Sequence, residues 1–450
     1  MNIELERKSE TLKYSNEKIS ILKSIKSQIN GSLIFEDCNI DVLDLDNVRI
    51  ENGSLTFKRC SFTSSAILKK LKVKDINFIE CESSTLIKFF NIESTGEIFF
   101  DYFKTEKKVE FIDVQFNLLK LSSTTMDYFN LSSNTSNKIS NIEINNSNII
   151  NTLKLNNISN IHTISINNVK VSELRLNSIL FNNSSNIFIK NSTVGFIFFD
   201  NISTNDSMNL LIDDNLIEIL KINTFVSNKG EILIKNGFCK NIIVGENVDE
   251  NLLIDFSNSS YDNIEIDKKF YNFLTNKKSK KSILSVNDFN QNSKTLQILS
   301  KMFADNYQYN LQDLCFYYYK NYVMEQNIKD STSKFTKLII HTKYFFGKYF
   351  FGWGVKLSNI INSFFYVIVI YALLYIALFF EKDITYKYKN YPLEDSILDI
   401  FYSSFLLVFG SYSDFEIKNR TIDFLMYSEH LIGILLLAIL TGTIIRKLVR

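Results

Sequence analysis

Two hydrophobic rhythms divide this chain. From about residue 33 to 266, apolar and polar residues alternate in short runs, and one run keeps returning. Copies read LIFEDCNI (33–40), LTFKRCSF (55–62) and the shorter INFIEC (76–81). Later ones are IEINNSNI (142–149), ISINNVKV (164–171), IFIKNSTV (187–194), LLIDDNLI (210–217) and ILIKNGFC (232–239), with starts 22, 23, 23 and 22 residues apart. Half-step copies fall between them: LDLDNVRI (43–50), LKLNNISN (153–160) and LRLNSILF (174–181). Alternation broken by Asn and Gly predicts strands, and a steady period within roughly 20–50 residues predicts a repeat architecture. Strands this short are not stable alone. Stacked as coils of a right-handed parallel β-helix, they share one apolar core in which each coil touches only its neighbours. At about 4.8 Å per coil, about ten coils make a rod roughly 50 Å long.

The C-terminal hundred residues follow the second rhythm. Residues 360–380 (IINSFFYVIVIYALLYIALFF) are an apolar run long enough, at about 1.5 Å per residue, to cross a hydrocarbon core. A second run, LIGILLLAILTGTII (431–445), reaches full span with residues 425–430 in front of it. Between them SILDIFYSSFLLVF (396–409) is too short to cross and ends in the turn-prone Gly410-Ser411-Tyr412-Ser413-Asp414. Irregular backbone at membrane depth is tolerated only facing protein or water. The spacing therefore predicts a re-entrant helix and a pore. Leu296, Leu299 and Phe303, and then Leu311, Leu314, Cys315, Tyr318 and Tyr322, predict two amphipathic helices ahead of the spans. The aromatic stretch 342–353 reads as an interfacial segment.

Composition narrows the function classes. A net charge of +1 argues against a nucleic-acid partner. The N-terminal residues lack an apolar core of the secretory type, so no leader is expected. Cys38, Cys60, Cys81, Cys239 and Cys315 form no C-x-x-C pair, and only three histidines occur, so neither disulfides nor a metal site are expected. The first three cysteines, 22 and 21 residues apart, are expected to stack inward at one corner. Asn146, Asn157 and Asn168 are expected to form a turn ladder, with ligand binding as the alternative. Outward coil positions show no recurring acid pair, so the chain is not read as a β-helical lyase or hydrolase. Lys343, Lys348 and Lys356 before the first span, and Arg446, Lys447 and Arg450 after the second, place both termini in the cytoplasm.

Residues 294–325, 350–375 and 401–450 together resemble bacterial two-transmembrane, potassium-channel-like proteins of the ion transport 2 type with N-terminal pentapeptide-type repeats. The likeness is carried by Phe316-Tyr317-Tyr318, by FFGWGVKLSNIINSFFYVIVIYALLY (350–375), by FYSSFLLVFGSYSD (401–414) and by SEHLIGILLLAILTGTIIRKLVR (428–450). The family's filter, Thr-Val-Gly-Tyr-Gly-Asp, aligns without gaps to Phe409, Gly410, Ser411, Tyr412, Ser413 and Asp414. The tyrosine and aspartate coincide, and serines stand where the filter has glycines. The resemblance implies a homotetramer passing potassium or, less selectively, other monovalent cations, and no bound cofactor. It implies roles on the inner helix for Glu429 (local pairing or outer-mouth charge), Gly433 (helix packing or a gating bend), Thr441 and Gly442. A pentapeptide rhythm is visible from Leu33 through Cys38 and Leu43 to Val48, after which the phase slips and half-coils of ten to twelve residues describe the repeats better.

The expected organisation is a helical or flexible cap (1–30), the β-helix (31–267), a basic linker (268–291), an amphipathic and interfacial helical region (292–357) and a two-transmembrane pore domain (358–450). The last comprises an outer helix (358–380), pore helix (394–409), filter-like loop (410–414) and inner helix (423–446). The expected function is that of a cation-channel subunit of the cytoplasmic membrane, in contact with the lipid bilayer. A cytosolic ligand or protein on the β-helix stays open. The alternative is a membrane-anchored β-helical scaffold whose pore does not conduct.

Overall fold

The computed structural model describes residues 2–5, 11–25, 27–133, 139–249, 252–267, 269–271, 289–380, 384–386, 393–411, 415–417 and 420–449. It divides into two compact units, residues 1–285 and 286–450.

The first unit is a parallel β-solenoid of about eleven turns. Its register follows the sequence repeats. Leu33 lies opposite Leu55, Leu55 opposite Ile76, and the column continues through Ile98, Leu119, Ile142, Ile164, Ile187, Leu210 and Ile232 to Ile254. The half-step copies supply a second column, which includes Leu43, Leu153 and Leu174. Both columns are buried. Beside the first column, Tyr14, Phe35, Phe57, Phe78 and Phe100 stack with ring centroids 4.8–5.2 Å apart. That is close to the natural strand spacing, so the rings stack without distorting the ladder.

The turn length is set at the corners. Asn16, Asp37, Arg59, Glu80, Tyr102, Ser123, Asn146, Asn168, Asn191, Asp214 and Asn236 all have φ between 48° and 58°, at successive intervals of 21–23 residues. Asn and Asp adopt this left-handed conformation most readily of the non-glycine residues, which explains their abundance there. Asn157 marks a second corner series with φ 53°. Asn168 Nδ2 donates to Asn146 Oδ1 at 2.8 Å, and Asn236 Nδ2 to Asp213 Oδ1 at 2.9 Å. From Cys38 to Asn215 the residue after each corner of the first series is buried, and it is small or polar at most of these positions. Buried Cys60 and Cys81 donate their thiols to the carbonyls of Phe35 and Phe57, at 3.4 and 3.3 Å. At equivalent positions Thr124 Oγ1 meets Ser147 Oγ at 3.0 Å, and Asn215 Nδ2 reaches the Asp213 carbonyl at 2.9 Å.

One expectation changes here. Where a helical or flexible cap is expected over 1–30, the described residues carry strands Asn2–Glu4, Leu12–Ser15, Lys18–Ile25 and Gln28–Asn30. Leu12 lies opposite Leu33 and Ile19 opposite Ile40, so the solenoid begins at least one turn earlier than residue 31. Lysine and serine interrupt the alternation in this stretch, and its apolar face becomes evident only against its partner coil.

The second unit is helical: α1 (Phe289–Asp305), α2 (Tyr309–Asp330), α3 (Lys334–Phe345), a π-helical turn (Phe346–Phe350), a short 3-10 segment (Gly352–Gly354), α4 (Leu357–Phe380), α5 (Leu393–Val408) and α6 (Arg420–Val449). Two helices are long and apolar enough to cross a membrane, over Leu357–Leu378 and Asp423–Val449. An antiparallel pair, Ile384–Tyr386 with Phe415–Ile417, joins the chain after α4 to the chain before α6. On α1 the expected Leu296, Leu299 and Phe303 are buried. On α2 the buried residues are Asp313, Cys315, Tyr317 and Asn321, so only Cys315 of the anticipated apolar face is buried. The polar residues are covered because each meets a partner, as described below.

Asn168→Val places a β-branched side chain at φ 53° and removes one amide from the corner ladder. We expect it to cost the solenoid about 1–3 kcal/mol, whereas Asn168→Gly stays near neutral. Denaturant unfolding followed by circular dichroism distinguishes the two.

Candidate functional site

α5 lies against both α4 and α6. Its first half packs Ile400 with Ala372 and Tyr375, and its last turn packs Val408 with Ile360, Phe364 and Leu436. α5 therefore runs antiparallel to α4. Phe409 stacks on Phe364 with centroids 5.6 Å apart and on Phe405 at 4.8 Å.

The helix stops at Gly410, whose φ is +86°. Gly410 N–H donates to the Leu407 carbonyl at 3.1 Å, and Ser411 N–H to Leu406 at 2.9 Å. This pair of bonds is a Schellman motif, which satisfies carbonyls that a helix end would otherwise leave bare. Gly410 is thus the cap that ends α5. Tyr412, Ser413 and Asp414 lie outside the described residues, so of the filter-like stretch the structure describes Phe409, Gly410 and Ser411.

Glu429 sits buried where three helices meet. Its carboxylate accepts from Tyr375 OH on α4 at 2.7 Å and from Ser404 Oγ on α5 at 2.5 Å. Beside it Tyr371 OH and Ser428 Oγ are 2.7 Å apart, and His430 Nδ1 lies 3.2 Å from the Leu407 carbonyl. Sequence reasoning singled out Glu429 but missed Tyr371, Tyr375, Ser404, Ser428 and His430. Their signal was polarity inside otherwise apolar helices, where polar groups usually find a partner.

Gly433 is the contact point of α5 on α6: a Cβ there would run into the Val408 carbonyl. α6 is one continuous helix through Gly433. Gly442 behaves differently, since a Cβ there would meet nothing within 4 Å, and its neighbour Thr441 is exposed. Thr443 instead bonds the Ile439 carbonyl of its own helix at 2.8 Å and the Gly354 carbonyl at 3.2 Å.

The N-terminal approach to α4 and the C-terminal end of α6 are tied to α2. Arg446 pairs with Asp313, Trp353 Nε1 donates to Asn321 Oδ1 at 2.8 Å, and Lys356 Nζ sits 3.6 Å from the Tyr317 ring centroid. Asp313, Tyr317 and Asn321 are spaced four apart, so they share one face of α2. A cavity of about 470 Å³ opens beside this point, lined by Tyr307, Gln308, Tyr309, Asn310, Leu311, Asp313 and Lys447. Among the described residues no three His, Cys, Asp or Glu side chains converge as metal ligands would.

Gly433→Ala drives a methyl group into the Val408 carbonyl, which must move. We expect a loss of about 1–3 kcal/mol, read as a lower unfolding temperature in detergent. Gly442→Ala, with open space around it, is expected to leave that temperature unchanged.

Comparison with protein-family models, curated proteins and solved structures finds no match to this chain.

Proposed function

We propose that this chain is one subunit of a passive cation channel in the cytoplasmic membrane, with the solenoid as a cytoplasmic sensor or scaffold. One observation carries the reading: the path of the chain between the two spans. α5 runs back along α4 as far as Phe364 and ends in a glycine cap. Six residues after Phe409 the chain is at Phe415, opposite Tyr386 beyond the end of α4. A helix of 16 residues rises about 24 Å, short of the roughly 30 Å of hydrocarbon it would need to cross. In a bilayer such an excursion is a re-entrant helix, and its turn requires a polar cavity to face.

Two spans and one re-entrant helix do not enclose a conduit. Leu398 and Tyr402 on α5, and Leu431 and Leu435 on α6, are exposed in the single chain. In this reading four copies around one axis supply the missing walls. Ser411, Tyr412 and Ser413 then offer oxygens to potassium or another monovalent cation, and Asp414 concentrates cations at the outer mouth. The uncovered Thr441 and Gly442 face the inner part of the conduit. Glu429 and Gly433 act by positioning α5. The basic residues flanking the spans set both termini on the cytoplasmic side.

A second reading, a membrane-anchored solenoid that binds a partner and conducts nothing, is favoured by the serines at both filter-glycine positions. Ion flux into liposomes separates the two. A channel passes potassium or sodium, and Asp414→Asn lowers the flux about tenfold at low ionic strength and less at high salt. An anchor passes neither ion in any variant and is monomeric in detergent.

A further inference from the structure

α3 has no buried residue, although half of it is apolar. Phe335, Leu338 and Tyr349 are 72%, 63% and 56% exposed, and Phe345 and Phe346 are exposed as well. At about 100° per residue these side chains, with Thr342, fall on one face of α3 and its π-helical continuation. Lys334, Lys337, His341 and Lys348 flank that face on one side and Lys343 on the other. The remaining surface turns toward α2, where Tyr344 OH donates to Glu325 at 2.7 Å.

Charge identifies what covers the apolar face. Residues 331–380 contain five lysines and not one Asp or Glu. Among the described residues Lys334, Lys337 and Lys343 are exposed and in no ion pair. A protein partner with an apolar face would not need this one-sided charge, but an anionic lipid leaflet matches it. Position agrees. Gly352, Trp353 and Gly354, with φ of 52°, 53° and 71°, reverse the chain. Asn359 Nδ2 then donates to the Lys348 carbonyl at 2.7 Å, and Ser363 Oγ to Phe350 at 2.9 Å. The end of the α3 segment therefore lies beside the first two turns of α4, where a spanning helix leaves the headgroups.

We propose that α3 and its π-helical turn lie in the plane of the bilayer as an amphipathic anchor. Its aromatic face is sunk at the acyl boundary, and Lys334, Lys337, Lys343 and Lys348 bind anionic lipid headgroups. The proposal rests on α4 crossing a bilayer and is independent of conduction.

Spin labels on the full chain in nanodiscs test it, with collisional access to oxygen and to a water-soluble nickel chelate as the readout. Labels at Leu338→Cys and Phe345→Cys are expected to favour oxygen, a label at Thr336→Cys nickel, and a label at Leu373→Cys on α4 oxygen strongly. If position 373 is in lipid while 338 and 345 match 336, the anchor is refuted and the span survives. If 373 is also in water, both fall. In a second arm, each Lys→Gln step among the four lysines should lower the preference for phosphatidylglycerol over phosphatidylcholine, up to about fivefold per lysine. An unchanged preference in the quadruple variant overturns the headgroup assignment.

Discussion

A peptide N–H or C=O withdrawn from water without a partner costs about 1–3 kcal/mol, and the two units of this chain meet that demand in different ways. In the solenoid the partner is mostly the neighbouring coil, even at the corners. Asn39 N–H donates to Glu17, Ser61 to Cys38, Glu82 to Cys60 and Lys104 to Cys81, each at 2.9 Å. Such a ladder tolerates variation in side chains, and it takes turns of 21 to 23 residues by shifting register locally, as between Met126 and Tyr128. The helical unit satisfies its backbone within each helix and needs help only at the ends. At the end of α5 that help is the Gly410 cap.

This difference explains what the sequence reveals. The solenoid was legible because its constraint repeats. Leu33, Leu55 and Ile76 recur at the period that the ladder enforces, and the register places them in one column. Even so, single corners were not legible. Arg59, Glu80 and Tyr102 adopt a left-handed φ that their residue types do not favour, because coils on both sides hold the turn. The strands at 2–30 were missed for a related reason: they need the next coil to define their buried face.

In the helical unit the length and polarity of the runs were legible, and their contacts were not. The face of α2 bearing Asp313, Tyr317 and Asn321 reads in sequence as a solvated polar stripe. It is buried because Arg446 at the end of α6, and Lys356 and Trp353 just before α4, come to meet it. Those partners are 32 to 133 residues away along the chain, beyond any local pattern. The consequence is mechanical. α2 holds the last turn of α6 and the corner before α4 at once, so a displacement of α2 is felt by both.

The division of labour along α6 follows from comparing two kinds of contact. Hydrogen bonds between helices are worth about 0.5–2 kcal/mol each, so Glu429 with Tyr375 and Ser404 contributes a few kcal/mol. That is enough to fix which face of α5 turns inward, but such bonds stretch and reorient. The contact of Gly433 with the Val408 carbonyl is steric, and repulsion rises far more steeply than a hydrogen bond weakens. Sterics therefore set how close α5 comes to α6, and hydrogen bonds set its rotation. Both devices lie in the first half of α6. The last turns are held on one face only, by Thr443 to Gly354 and Arg446 to Asp313, which leaves Thr441, Gly442, Ile444 and Ile445 uncovered. Between these holds Leu436, Leu437, Ile439 and Leu440 pack against Ile360, Phe364 and Val408, so α6 is braced on its inward face from Glu429 to Arg446 and only its outer face is left for other contacts.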